Sequence, residues 1–189
     1  MTIDWTAELL DQLDGHWTHQ LRPRLAGLTD EEYFWEPVEG CWNIRPRGEG
    51  QPGLAIGRGP FTFDLIRGVP TPGPVTTIGW RLAHLSVSVL GGRVAGHFGG
   101  PPISHPTFEH AGTAEQALAQ LDEAYAAWIA GVGSLDEAAL AAPCGPSEGQ
   151  YADEPMLGIV LHISREVIAH GAEICLLRDL YLNRSAEVR

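Results

Sequence analysis

Apolar residues recur at helical spacing in four long stretches and lose that spacing in one. Over residues 4–26, Trp5, Leu9, Leu13, Trp17, Leu21 and Leu25 stand four apart, which lays them along one slowly drifting helical face. Pro23 ends or kinks this helix, because its ring collides with the preceding turn. Thr29 before Asp30, Glu31 and Glu32 is a capping-box pattern and predicts a short turn through Tyr33-Phe34-Trp35. Residues 76–97 resume a helix; Gly91-Gly92 weakens its second half and allows a break there. Gly99-Gly100-Pro101-Pro102 ends it. Thr113 with Gln116 caps a third helix, where Leu118, Leu121, Tyr125 and Trp128 follow at 3-4-3 spacing, a bundle seam. Ser134 with Glu137 caps another short turn. After a Pro/Gly-rich link from Pro143 to Pro155, a last long helix is expected from about Met156 to Leu182.

The stretch from Glu36 to Pro74 has no period that survives its glycines and prolines. It reads as a long loop ordered by Trp42, Phe61 and Phe63, and loops of this length are usually functional covers or flexible inserts. Four long helices without an extended alternating pattern predict an all-α four-helix bundle, one domain over residues 1–189. A long Gly/Pro-rich insert, about 45–74, lies between helices 1 and 2.

Composition narrows the functional classes. A chain of 189 residues, 44% hydrophobic and 19% charged, can bury a real core and is neither disordered nor membrane-spanning. Its start, MTIDWTAELLDQLDG, lacks the basic n-region and apolar run of a secretory signal, so a cytoplasmic location is expected. Twenty-four acids against twelve Lys plus Arg give a formal charge of −12, whereas a nucleic-acid binder needs a basic face. Nucleic acid and membrane are therefore not expected partners. Cys41, Cys144 and Cys175 are far apart and form no C-x-x-C pair, which predicts free thiols.

The candidate chemistry sits on the last helix. His162, Glu166 and His170 follow one another at intervals of four, each step turning by only about 40°, so they share one stripe. Glu173 falls in the same sector. A Glu and a His at i and i+4 can reach one metal ion, and bundle interiors are where such ligands are built. His84, among Ile78, Leu82 and Leu85, is the candidate third ligand from a facing helix. Bland alternatives stand beside this: His84 as a core histidine, and Glu166 with His170 as a solvated surface pair. Yet Ile163, Val167 and Ile174 lie close to the stripe, and a carboxylate among apolar neighbours needs a partner.

Three segments carry a resemblance: LTDEEYFWEPVEGCWNI at 28–44, TIGWRLAHL at 77–85, and HISREVIAHGAEI at 162–174. In order and character they resemble the DinB/YfiT-like superfamily of metal-binding helical bundles, which includes the mycothiol-dependent maleylpyruvate isomerase and bacillithiol transferases. The resemblance covers the chain except the insert. It implies that His84, Glu166 and His170 ligate one divalent metal ion, Zn²⁺ first, with Ni²⁺, Fe²⁺ or Mn²⁺ as alternatives. The commonest family motif has histidine where this chain has Glu166; the Glu-x-x-x-His form is closer to the mycothiol-dependent branch. A thiol-dependent transferase or isomerase using a low-molecular-weight thiol is thereby implied. The rivals are a metal-dependent hydrolase and a non-catalytic bundle that binds metal or a small ligand. His162 is a candidate to orient Glu166 or to supply a proton, and Glu173 to hold a ligand in place. Expected partners are a small-molecule substrate and a second copy of the chain in a homodimer.

Overall fold

The structure, a computed structural model, describes residues 3–49, 55–66, 68 and 71–184. Helix α1 starts as Trp5–His16 and continues through a wider π-helical turn, Trp17–Leu21, and a last turn, Arg22–Arg24. Asp4 caps its start by accepting from the Ala7 N–H at 3.0 Å. Pro23 lies in the last turn. The π-helical widening just before it makes room where the ring would otherwise meet a carbonyl one turn back. Helix α2, Asp30–Phe34, opens on the complete Thr29–Glu32 capping box.

Helix α3 begins as Ile78–His84, passes through a π-helical stretch, Leu85–Gly91, and ends as Gly92–His97. The glycine pair does not break it. A Cβ on Gly91 would stand 2.6 Å from the Ser86 carbonyl oxygen and 3.0 Å from Ile103, so glycine is what lets the widened turns close against their neighbours. Helix α4 is Ala114–Gly133, with Thr113 accepting from the Gln116 N–H at 3.2 Å. Gln116 bonds the Gly112 N–H rather than that of Thr113, so only half of the expected box forms. Helix α5, Glu137–Ala141, is capped by Asp136, 2.8 Å from the Ala139 N–H. The expected cap, Ser134, instead donates to the Gly131 carbonyl at 2.6 Å. Helix α6 spans Met156–Asn183.

The four long helices, α1, α3, α4 and α6, bury a common core. Leu13 and Leu21 of α1, Leu82, Leu85 and Leu90 of α3, Leu121 and Trp128 of α4, and Ile163, Val167 and Ile174 of α6 are all nearly inaccessible. Trp5, first of the predicted α1 stripe, lies outside it. Trp17 of α1 stacks on Tyr125 of α4, ring centroids 3.8 Å apart, and the Tyr125 hydroxyl donates to Asp14 at 2.8 Å.

The 36–74 stretch differs from the loop expected there. Three short strands, β1 (Ile44–Pro46), β2 (Ala55–Ile56) and β3 (Phe61–Asp64), form an antiparallel sheet in the order β1-β3-β2. In register, Ile44 faces Phe63 and Pro46 faces Phe61. Strands of two to four residues are too short to reveal a period of two, which is why sequence patterning does not find them. Buried polar bonds fasten the sheet to α3. Asn43 accepts from the Thr77 hydroxyl at 2.7 Å, Asp64 accepts from the Asn43 N–H at 3.0 Å, and the Trp80 indole donates to the Asp64 carbonyl at 2.8 Å.

Candidate metal centre

Helices α3 and α6 pack against each other, and the packing joins residues eighty positions apart. His84 stands at the end of the first segment of α3, where it gives way to the π-helical stretch; Glu166 and His170 stand one turn apart on α6. One donor atom from each of the three lies within 4.8 Å of the other two. Glu166 Oε2 and His170 Nε2 are 3.4 Å apart, about the edge of a tetrahedron whose centre bonds its corners at ~2.1 Å. All three are half-buried, screened from bulk water on one side and accessible on the other.

Each ring is held in place. The His84 ring stacks on Trp80 with centroids 5.2 Å apart and meets His170 edge-on at 4.9 Å. Trp80 in turn stacks on Phe63 of β3 at 4.9 Å, so the small sheet braces the His84 side of the cluster. Burial first, then the nearby His170 and Arg81, pull the His84 imidazole down to about 4. It is therefore neutral at physiological pH, as a metal-binding imidazole must be. His170 Nδ1 lies 2.7 Å from Glu173 Oε2. A carboxylate only accepts, whereas Arg81 Nη1, 3.2 Å from the same nitrogen, only donates; the shorter Glu173 contact places the proton on Nδ1 and leaves the Nε2 lone pair facing the cluster. Arg81 joins the group, its Nε 3.1 Å from Glu173 and its Nη1 3.2 Å from His170 Nδ1. Burial lowers the Arg81 pKa, and Glu173 works against that.

Two neutral imidazoles and one carboxylate, with a carboxylate behind one imidazole, suit a borderline divalent ion. The donor set fits a metal: a cluster of His84, Glu166 and His170 that could hold an ion. Residues 12–174 also match the sequence model of the DinB superfamily.

The chain belongs to the DinB superfamily. No curated protein and no solved structure matches it.

Other residues singled out in this DinB-superfamily chain fall at different distances from the cluster. His162 sits one turn before Glu166, its Nδ1 3.9 Å from that carboxylate and accepting from Arg165 at 2.9 Å. It borders the triad without joining it. The three cysteines are buried and free, and burial raises each thiol. Arg81 and Trp80 were missed by sequence reasoning, although Arg81 precedes His84 by three residues and so shares its helical side. His105 and His110 had no partner pattern, yet they are almost wholly buried against Phe63, with centroids 3.8 and 5.3 Å from its ring. His97, likewise without a pattern, bonds Glu148 at 2.8 Å and pins the 143–155 link to α3. No described helix is long and apolar enough to cross a membrane.

Proposed function

We propose that His84, Glu166 and His170 hold one divalent metal ion, Zn²⁺ by preference, in a thiol-dependent transferase or isomerase. The observation that carries this is the convergence of the three donor atoms within 4.8 Å. Three protein ligands leave coordination positions free, as catalytic rather than structural sites do. When bound, the ion supplies a Lewis acid that favours the thiolate form of a low-molecular-weight thiol of the mycothiol or bacillithiol type.

The chain's own residues set the terms of that reaction. Glu166 contributes the one negative charge of the triad, so a dication held there keeps a net charge that one thiolate neutralises. Glu173 keeps the His170 proton at Nδ1 and fixes the ring. Arg81, paired with Glu173 at 3.1 Å, holds that carboxylate in place behind His170. The thiolate sulfur then bonds to an electrophilic carbon. In transfer, a leaving group departs from that carbon with the electron pair; in isomerisation, the π pair of a conjugated double bond moves onto its carbonyl as an enolate, the now single carbon–carbon bond rotates, and the returning pair re-forms the double bond as the thiolate leaves.

Metal analysis of the purified protein, followed by thiol titration of the Co²⁺-substituted form, tests both halves. Close to one ion per chain and a thiol-induced change in the visible spectrum are expected. Equal metal content in wild type and His170→Ala removes the site. A normal site whose spectrum no thiol alters removes the thiol chemistry and leaves the hydrolase or the binding bundle.

A further inference from the structure

The outward face of α6 is apolar where a solvent-facing helix is normally polar. Leu161, Ile168 and Leu176 are 51%, 38% and 58% exposed, and Ala172 is exposed between them. These positions lie within about 80° of one another on the helix. They form a stripe well apart from the ligand stripe of Glu166 and His170. Two charges interrupt it, Arg165 and Asp179, both exposed.

The stripe is symmetric about Ala172. Ile168 precedes Ala172 by four residues and Leu176 follows by four; Arg165 precedes it by seven and Asp179 follows by seven. Two copies of such a helix, laid antiparallel across a two-fold axis at Ala172, match themselves. Ile168 meets the partner's Leu176, Arg165 meets the partner's Asp179, and each contact occurs twice. The small Ala172 at the centre lets the helices approach closely. Beside it, an open groove of about 200 Å³ between α1 and α6, walled by Ala172 and Leu176, can seat the partner's Ile168. Asp179 already accepts from Arg24 at 2.7 Å, and a carboxylate has acceptor capacity for a second guanidinium.

We propose that this face docks a second copy of the chain, as an antiparallel α6–α6 homodimer with its axis at Ala172. The proposal is independent of the metal centre. The ligand stripe faces away from the axis, so each protomer keeps its own site open.

Sedimentation equilibrium of the full chain, with and without metal, tests it. Wild type is expected at twice the 20.4 kDa chain mass. Ala172→Glu sets two carboxylates against each other on the axis and should give monomer, with an unchanged circular dichroism spectrum because the position is exposed. Arg165→Asp and Asp179→Arg alone should each weaken dimerisation at least tenfold by opposing like charges. The double variant Arg165→Asp/Asp179→Arg restores both pairs and should return within a few-fold of wild type. A wild-type monomer at tens of micromolar overturns the proposal. So does a dimer indifferent to Ala172→Glu, or a double variant as weak as the single ones.

Discussion

Two groups of histidines meet the Trp80–Phe63 stack, one against each ring, and they have come to different ends. In one group, His84 and His170 stand with Glu166 and Glu173 within reach. In the other, His105 and His110 are packed against Phe63, and among the described residues no carboxylate bonds them. His105 Nε2 has the Ser88 hydroxyl at 2.8 Å, His110 Nε2 has the His105 carbonyl at 3.3 Å, and both Nδ1 atoms are buried without partners. Burial drives His105 down to about 3, helped by His110 and His84, and drives His110 down to about 4. An imidazole in apolar surroundings thus serves as a flat, neutral packing ring. The same imidazole beside carboxylates is a candidate ligand, with a neighbouring acceptor to hold its tautomer.

The stack between the two groups is the largest lever on this contrast. Phe63→Ala should cost about 3–5 kcal/mol of stability, because the buried ring contacts Trp80, His105 and His110 together. Urea denaturation measures it, and a loss below 1 kcal/mol would mean that the sheet does not brace the bundle. Next comes Glu173→Gln, which leaves the three donors in place but weakens the hold on the His170 tautomer. Metal affinity should fall roughly 10–100-fold in competition with a chromophoric chelator, whereas His110→Gln should leave it within a few-fold.

The pH dependence sharpens the same comparison. The folded pKa values of His105 and His110 lie below the unfolded value of 6.5, so the unfolded chain binds more protons between them. Their contribution to stability is fully present above about pH 6.5 and is lost as pH falls toward 3–4. Each histidine should remove up to about 1.4 kcal/mol per pH unit within that window. Denaturation of the metal-free protein at pH 7, 6 and 5 should show this, with a flatter slope in His105→Gln/His110→Gln. An equal slope in that variant would place the protonation elsewhere. The smallest effect is expected of the cysteines. Replacing Cys41, Cys144 and Cys175 by Ala should leave metal stoichiometry unchanged, since all three are buried away from the triad.

Much of the bundle was legible because periodicity reports burial. The α4 seam of Leu121, Tyr125 and Trp128 lies in the core as its spacing requires, and α6 ends within a residue of its expected limit. Caps were read less well. Asp136 rather than Ser134 opens α5, because two acceptors near one helix start compete and backbone geometry chooses between them. The strands in the insert were hidden by brevity, and whether Gly91-Gly92 breaks the helix was left open by spacing, because packing against Ile103 lies outside any local rule.

The sequence by itself determined the helical class, the four long helices, and the shared stripe of Glu166 and His170, since each follows from spacing within one segment. It also supplied the motifs that mark the DinB superfamily. Only the tertiary structure decided that His84 meets that stripe, that Glu173 and Arg81 close around His170, and that Phe63 stands behind Trp80. Such contacts join segments far apart in the chain, and no local period encodes which faces meet. They are set by how the helices and the small sheet fill one interior together.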